Sequence, residues 1–325
     1  MPALSQGAVI AAGLQKRADR ALMAPPPTVM EKTLMPEGWD PHEYSSPARY
    51  YWPDPAAPDG LPWTVKDGFP NLEAIARSDA PRLSRLIEDV DALVADWKAG
   101  AGEKYAARAA LYLRAWFLDP ATRMNPNFRG AQYIAGKDRG RGGGLIDFAQ
   151  LHRLLDDCAA LAGWPGWPAG EERALRQWMS EYLAWLDSDK GAASEARAAN
   201  NHGTWFAVQR ASLLVYLGRG GEARAYLESV APRLEAGQFS ADGRQPLEAA
   251  RVDGISYSLY NLEAWARLAE LALRAGAAVR LDGPRRATDF ILPYVSNPAA
   301  WPWSQKDPIP ASALDFLASA AWKRQ

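Results

Sequence analysis

Helix-like periodicity runs through most of this 325-residue chain and limits the folds it can adopt. After residue 79, leucine, alanine and tryptophan recur at spacings of three and four, with glycine or proline near most segment ends. No stretch alternates in polarity over several strands. The pattern predicts helices over Ala80–Ala99, Glu103–Phe117, Gly144–Leu161, Gly170–Asp187, Thr204–Leu217, Gly220–Ala236, Gly254–Ala275, Arg286–Tyr294 and Ala311–Lys323.

Short turns between helices of moderate length are typical of helical hairpins. Broad apolar faces favour a closed ring of α/α pairs over a four-helix bundle, and the lack of a fixed-period repeat disfavours an open solenoid. We therefore predict an all-α fold, an incomplete (α/α) toroid or barrel of helical hairpins, as a single domain over residues 1–325. Loops between the helices would gather at one mouth of the ring, where a cleft can form.

The amino-terminal 71 residues have a different character. An amphipathic helix is predicted to end at the prolines of Ala24–Pro27, because proline is incompatible with a helix interior. Residues 28–71 are rich in proline, glycine, aspartate and aromatics, and we expect a long ordered loop that packs on the barrel. The start of the chain lacks the basic region, apolar core and cleavage site of a signal peptide.

Composition argues against several classes of partner and cofactor. Lys plus Arg is 37 and Asp plus Glu is 38, so the chain lacks the basic footprint of a nucleic-acid binder. No apolar run of about 18 residues predicts a membrane helix. A single cysteine, Cys158, excludes an internal disulfide and a cysteine-rich zinc site, and three histidines without helpful spacing do not suggest a metal site. We expect no cofactor, no metal, no nucleic-acid partner and no membrane partner.

Tryptophan is unusually frequent, with 14 residues, and many aromatics lie in proline-rich segments such as YYWPDP, GWPGWP and WPWSQ. Aromatic faces stack on the apolar faces of sugar rings, although for any single tryptophan the packing of a loop onto a helix is the favoured interpretation. The set as a whole favours a saccharide ligand.

Two polar segments precede apolar helices. In NNHGTW, Asn200 or Asn201 could be an ordinary N-cap, but two asparagines followed by His202 exceed what a cap requires. In the second segment, Arg251 lies just before a predicted helix whose first turns contain Tyr257. A nearby arginine favours the phenolate form of a tyrosine, although a packed and hydrogen-bonded Tyr257 is the simpler interpretation of this segment alone.

A third segment, Trp116–Phe148, contains the densest basic run of an otherwise neutral protein. Its arginines and lysine could form a solvated loop or attract an anionic ligand. The RGRGGG sequence is no phosphate-binding loop, because the Walker spacing is absent.

The motifs ARYYWPDPAAPDGLPW, WFLDPATRMNPN, NNHGTW and QPLEAAR followed by SYSLYNLEA occur in this order and span most of the chain. Together they resemble the alginate lyase superfamily of polysaccharide lyases. The resemblance implies an α/α toroid that cleaves 1,4-linked uronic-acid polymers by β-elimination, with an anionic polysaccharide as the partner.

The resemblance also implies site residues. By motif, Asn201, His202, Arg251 and Tyr257 would be catalytic: Tyr257 as base and acid, His202 assisting, and Asn201 with Arg251 neutralising the uronate carboxylate. The residues expected to bind substrate are Asn200, Trp205, Arg139, Arg141, Asn127, Gln132, Tyr50, Trp52, Tyr260 and Glu248.

Several alternatives stay open. β-Linked D-mannuronate and D-glucuronate present the same syn relation of H5 and O4, so glucuronan and mannuronan-type alginate are both candidate substrates. A glycoside hydrolase would need two carboxylates about 5–10 Å apart, for which Asp147, Glu248 and Asp253 are candidates. A non-catalytic carbohydrate-binding protein is the third possibility. A polymer substrate suggests a periplasmic or secreted protein.

Overall fold

The structure is a computed structural model that describes residues 6–310, 312–320 and 322. It is mostly helical, which confirms the all-α class. The chain separates into two compact units: the first comprises the residues up to Val65 and Pro70–Asp187, and the second comprises Lys66–Phe69 and the residues from Ser188 onward. The single domain and the ring of hairpins stay predictions. No helix within the described ranges is long and apolar enough to cross a membrane.

Among the described residues, six α-helices build the first unit. In this unit α3 packs against α1, α4 and α5, and its buried side chains recur at helical spacing, as in Leu83, Leu86, Ile87 and Val90. The helices are α1 (Gln6–Met23), α2 (Leu72–Ala76), α3 (Ala80–Lys98), α4 (Glu103–Leu113), α5 (Leu151–Leu161) and α6 (Ala169–Ser188).

Four short strands, which the sequence did not predict, pair loops within the described part of the first unit. β1 (Ser45–Pro47) pairs in parallel with β4 (Gly130–Tyr133), and β2 (Tyr51–Trp52) pairs antiparallel with β3 (Thr64–Val65). Strands of two to four residues are too short to show an alternating pattern. The proline-rich and aromatic segment is therefore ordered by backbone pairing as well as by packing.

Two of the predicted helices in this unit change type within their length. After α4 the chain continues as a π-helix, Arg114–Leu118, and the region before α5 is a 3₁₀-helix, Gly142–Phe148. Three consecutive glycines begin the 3₁₀-helix, and glycine is among the weakest α-helix formers.

The second unit contains the remaining helices. Ends of the longer helices differ from the predicted ones by up to four residues, as at α12, which begins at Asp282 and not at Arg286. The short α7 and α10 were missed, because four to six residues cannot display a helical period. Ala311 and Lys323, the ends of the last predicted helix, lie outside the described residues. The helices are α7 (Lys190–Glu195), α8 (Asn201–Tyr216), α9 (Gly220–Gln238), α10 (Pro246–Ala249), α11 (Gly254–Ala275), α12 (Asp282–Ser296) and α13 (Ser312–Ser319).

Helices α8 and α11 form the centre of the second unit. They pack against each other, and both also contact α9. Trp205 of α8 and Trp265 of α11 are fully buried, and most other residues of α8 are buried on every side. A helix that is enclosed all round belongs to a core. The candidate catalytic residues therefore lie at the ends of the most firmly packed helices of this unit.

Candidate active site

Glu248 of α10, which lies just before α11 in the chain, bonds the amino-terminal end of α8. Its Oε1 accepts a hydrogen bond from the backbone N–H of Asn201 at 2.6 Å, and its Oε2 accepts one from the Asn201 side-chain amide at 2.9 Å. Asn201 is the first residue of α8, and α10 lies just before α11. Glu248 is 2% exposed, and burial raises the pKa of its carboxyl group. One buried carboxylate thus holds the start of α8 against α10.

A buried network of neutral polar side chains connects the same helices one turn further in. The Asn261 amide of α11 donates to Gln238 at 3.0 Å and to Gln245 at 2.7 Å, and its oxygen accepts from the Thr204 hydroxyl of α8 at 2.8 Å. Gln238 also donates to the backbone oxygen of Asn200 at 2.9 Å. Since buried polar groups cost free energy unless they are paired, this network favours one relative position of α8 and α11.

His202 lies in the first turn of α8 and is partly exposed. Its Nδ1 forms a short hydrogen bond with Oε1 of Glu195, the last residue of α7, and that glutamate is 7% exposed. A carboxylate on Nδ1 fixes the ring orientation and places the proton on that nitrogen. In a neutral imidazole, Nε2 is then an acceptor. Sequence reasoning missed Glu195, because nothing in its spacing to His202 marks it as a partner.

Arg251 and Tyr257 form a second pair of candidate catalytic residues. The Nη2 of Arg251 donates to the Tyr257 hydroxyl oxygen at 3.0 Å, and the guanidinium carbon lies 4.0 Å from the centre of the phenol ring. Arg251 follows α10, and Tyr257 lies in the first turn of α11, so the turn between the two helices brings them together. A cation in this position stabilises negative charge on the phenolic oxygen.

Asp67 also contacts Arg251. It belongs to the second unit by its contacts, although the residues on both sides of Lys66–Phe69 belong to the first. Its Oδ1 accepts from Arg251 Nη2 at 2.8 Å, and its Oδ2 lies 3.4 Å from Nε. No motif or spacing indicates this ion pair, because 184 residues separate the partners.

Three other residues that were expected to contact the substrate are engaged within the protein instead. Asn200 is the N-cap of α8, and its side chain accepts from the His202 N–H at 3.3 Å. Asn201 is 1% exposed and its side-chain amide donates to Glu248, so its direct contact with substrate stays a prediction. Trp205 is 0% exposed, so its ring packs in the core against the partly exposed Tyr260, 5.1 Å away, and has no surface left for a sugar.

In the first unit, Gln132 and Arg141 form a linked arrangement. Gln132 has a φ of 49°, which a residue with a side chain rarely adopts. Its side-chain oxygen accepts from Arg141 Nη2 at 2.9 Å, and its amide donates to Asp147 at 2.9 Å. Asp147 also accepts from the hydroxyls of Tyr44 and Ser46, and burial raises the pKa of its carboxyl group. Gln132 is buried, so its side chain positions Arg141 and does not face solvent.

The other expected contacts in the first unit are more scattered. Arg139 is exposed, donates to the backbone oxygen of Glu37 and lies over the ring of Trp39. Asn127 is 7% exposed and accepts from the Arg129 N–H at 3.1 Å. Tyr50 and Trp52, at the β2 hairpin, are partly exposed. These positions stay predictions for substrate contact, and Asn127 is the least accessible of them.

The comparisons with known proteins concern the family and the fold. A family model described as alginate lyase matches residues 28–301, more than four fifths of the chain. The chain belongs to the alginate lyase family. A crystal structure of an alginate lyase from Bacteroides ovatus is similar with a TM-score of 0.88 and 30% identity, covering 95% of this chain and 89% of that chain. The comparison with curated proteins gives no match.

A more distant structure shares the fold alone. Alginate lyase A1-III, solved as a variant in complex with a tetrasaccharide, is 16% identical with a TM-score of 0.55, covering 93% of this chain and 80% of that chain. Family membership supports polysaccharide lyase activity on an anionic polysaccharide, and it disfavours the hydrolase alternative. In the second unit, Glu248 and Asp253 already accept several protein hydrogen bonds each, which also argues against a pair of open catalytic carboxylates.

Proposed function

We propose that this protein cleaves a β-1,4-linked uronic-acid polymer, glucuronan or mannuronan-type alginate, by β-elimination. The products would carry an unsaturated 4,5 bond at the new non-reducing end. The observation that carries the proposal is the Arg251–Tyr257 pair, in which a guanidinium donates to the phenolic oxygen at 3.0 Å. Binding alone does not require a tyrosine with a cation on its hydroxyl.

The elimination needs a base for the C5 proton and an acid for the leaving O4. In a syn elimination both lie on one face of the sugar, so Tyr257 can serve both. As phenolate it accepts the C5 proton, the C4–O4 bond breaks as the C4–C5 double bond forms, and the phenol proton passes to O4. Arg251 would stabilise the charge on the phenolic oxygen before and after this transfer.

The C5 proton is only weakly acidic, because the neighbouring carboxylate resists further negative charge. Arg251 is the cation best placed to neutralise that carboxylate. We propose that His202, oriented by Glu195, assists Tyr257 through Nε2. Asn201 would contribute through Glu248, whose oxygens fix the start of α8 beneath His202.

Arg139 and Arg141 in the first unit would attract the polyanion, since both are exposed. The catalytic scheme needs neither a metal nor a cofactor. The two sugars differ only at C2, away from the reacting atoms, so contacts along the polymer would select between them. Because such polymers are met outside the cytoplasm, we propose a periplasmic or secreted location.

Ultraviolet absorbance during incubation with polyglucuronate, polymannuronate, polyguluronate and polygalacturonate tests the reaction and the substrate together. Rising absorbance with one of the β-linked D-uronans is the expected result. Rising reducing ends with flat absorbance would instead support a hydrolase. Saturable binding without either change would support a carbohydrate-binding protein.

Replacing Tyr257 with phenylalanine tests the assignment of base and acid. Tyr257→Phe should reduce kcat by roughly a thousand-fold, since general acid–base catalysis contributes about 10²–10⁴. Tyr294→Phe is the matched control, because Tyr294 packs against Trp301 at 5.0 Å in an aromatic cluster of α12. Full activity of a folded Tyr257→Phe variant would exclude Tyr257 as the proton carrier.

A further inference from the structure

We propose that Asp67 occupies the position of a substrate carboxylate at Arg251, and that Lys66–Phe69 must release Arg251 when a uronan binds. This inference rests on the proposed function. Asp67 is a carboxylate supplied by the chain itself, and it lies on the guanidinium that the elimination needs for the uronate. Asp67 would therefore compete with substrate and set how tightly the site binds a carboxylate.

The geometry leaves little room for both carboxylates. Asp67 uses the edge of the guanidinium formed by Nε and Nη2, with contacts of 3.4 and 2.8 Å. That edge binds a carboxylate through two parallel hydrogen bonds. The same Nη2 donates to Tyr257, so a uronate bound on this edge would lie next to the phenolic oxygen. A second carboxylate there would meet the like charge of Asp67.

The ion pair is well suited to exchange. The Arg251 and Asp67 side chains are 27% and 42% exposed, and ion pairs that water reaches contribute little to stability. A substrate carboxylate could therefore replace Asp67 without a large cost in free energy.

The contacts of the neighbouring residues show how the segment is attached. Gly68 has a φ of +77° and lies so close to Val252 that a Cβ atom would clash with its side chain. Lys306 donates to the Gly68 backbone oxygen at 2.9 Å and lies 4.4 Å from the centre of the Phe69 ring. These contacts attach the segment beside Arg251, and their partners Val252 and Lys306 lie outside α8 and α11.

Calorimetric binding of a uronate tetramer to the Tyr257→Phe protein tests the competition, because no turnover then interferes. The tetramer is taken from the polymer that gives the ultraviolet signal, or from each polymer of the panel in turn. Asp67→Asn should lower Kd by about two- to five-fold, in proportion to the loss of one exposed ion pair. Asp67→Glu is the matched control, because it retains the charge and should leave Kd near that of the parent.

The opposite results have distinct meanings. If Asp67→Asn leaves Kd unchanged or raises it, Asp67 does not compete with substrate and the inference is wrong, while the proposed function stands. If neither protein binds any uronate tetramer, the inference and the proposed function are both wrong.

Hydrogen exchange of the intact protein gives a second, independent test. The Phe69 N–H donates to the Lys66 backbone oxygen at 3.0 Å in the structure. Backbone amides of Lys66–Phe69 should exchange faster when the tetramer is bound to the Tyr257→Phe protein. Unchanged or slower exchange would show that the segment stays on Arg251, which contradicts the release.

Discussion

Glu248 and Asp147 are two carboxylates with similar surroundings and different consequences. Each accepts hydrogen bonds from neutral donors of the protein, and burial raises the pKa of both. Glu248 bonds the backbone and the side chain of Asn201, and therefore fixes the start of a core helix. Asp147 bonds the side chain of Gln132, and fixes an exposed arginine only through that intermediate residue.

Because of this difference, we expect Glu248 to affect the catalytic step and Asp147 to affect substrate binding. A displacement of the start of α8 would move His202, which the proposed mechanism requires near the reacting atoms. Small displacements of a catalytic group lower the reaction rate strongly. A displacement of Gln132 would move Arg141, whose proposed role is to attract the polymer. Water and salt already weaken that electrostatic attraction. We therefore expect variants of Glu248 to alter kcat and variants of Asp147 to alter KM.

The largest expected effect follows from Glu248→Gln. The new amide can accept from Asn201 at one atom only, because its other terminal atom is a donor that faces a donor. Hydrogen bonds to charged groups contribute about 1.5–3 kcal/mol, so kcat should fall roughly ten- to a hundred-fold. Steady-state ultraviolet assays on the identified polymer measure kcat and KM separately.

A folded Glu248→Gln variant with normal kcat would remove the distinction between the two carboxylates. Glu235→Gln is the matched control in the same unit. Glu235 accepts from the backbone N–H of Gly283 at 2.6 Å, away from α8, and its replacement should leave kcat unchanged.

Asp147→Asn should have a smaller effect of a different kind. Tyr44 and Ser46 can keep their hydrogen bonds to the remaining oxygen, so the new amide group faces Gln132. Gln132 can turn its own oxygen toward that group, but its NH₂ then faces Arg141. The loss of one hydrogen bond of about 1 kcal/mol predicts a KM that is roughly five-fold higher, with kcat unchanged.

A double-mutant cycle tests that explanation. Arg141→Gln alone should raise KM by at least as much as Asp147→Asn, and the pair together should raise it no further, because both act on the same interaction. Additive effects would mean that Asp147 does not act through Arg141.

The sequence predicted the long helices well because their burial is periodic, and α11 begins and ends where its pattern does. It also brought Arg251 and Tyr257 together, since only a short turn separates them. It could not find Glu195 or Asp67, whose partners are fixed by tertiary packing. It also did not identify Asn201 and Trp205 as buried residues. Every side of α8 is enclosed, so the hydrophobic periodicity does not show which of its side chains are buried.

The smallest expected effect concerns pH. A carboxyl group with a raised pKa keeps its proton in the folded protein at pH values where the unfolded chain has lost it. Stability therefore falls as the pH rises from the ordinary carboxyl range through the raised pKa, because the folded state binds more protons there. Asp147→Asn and Glu248→Gln each remove one such group, and both should flatten this fall in urea unfolding measured from about pH 4 to about pH 7. If only one of the two variants flattens the curve, the other carboxylate is charged throughout, and the two sites would differ in electrostatics as well as in what they fix.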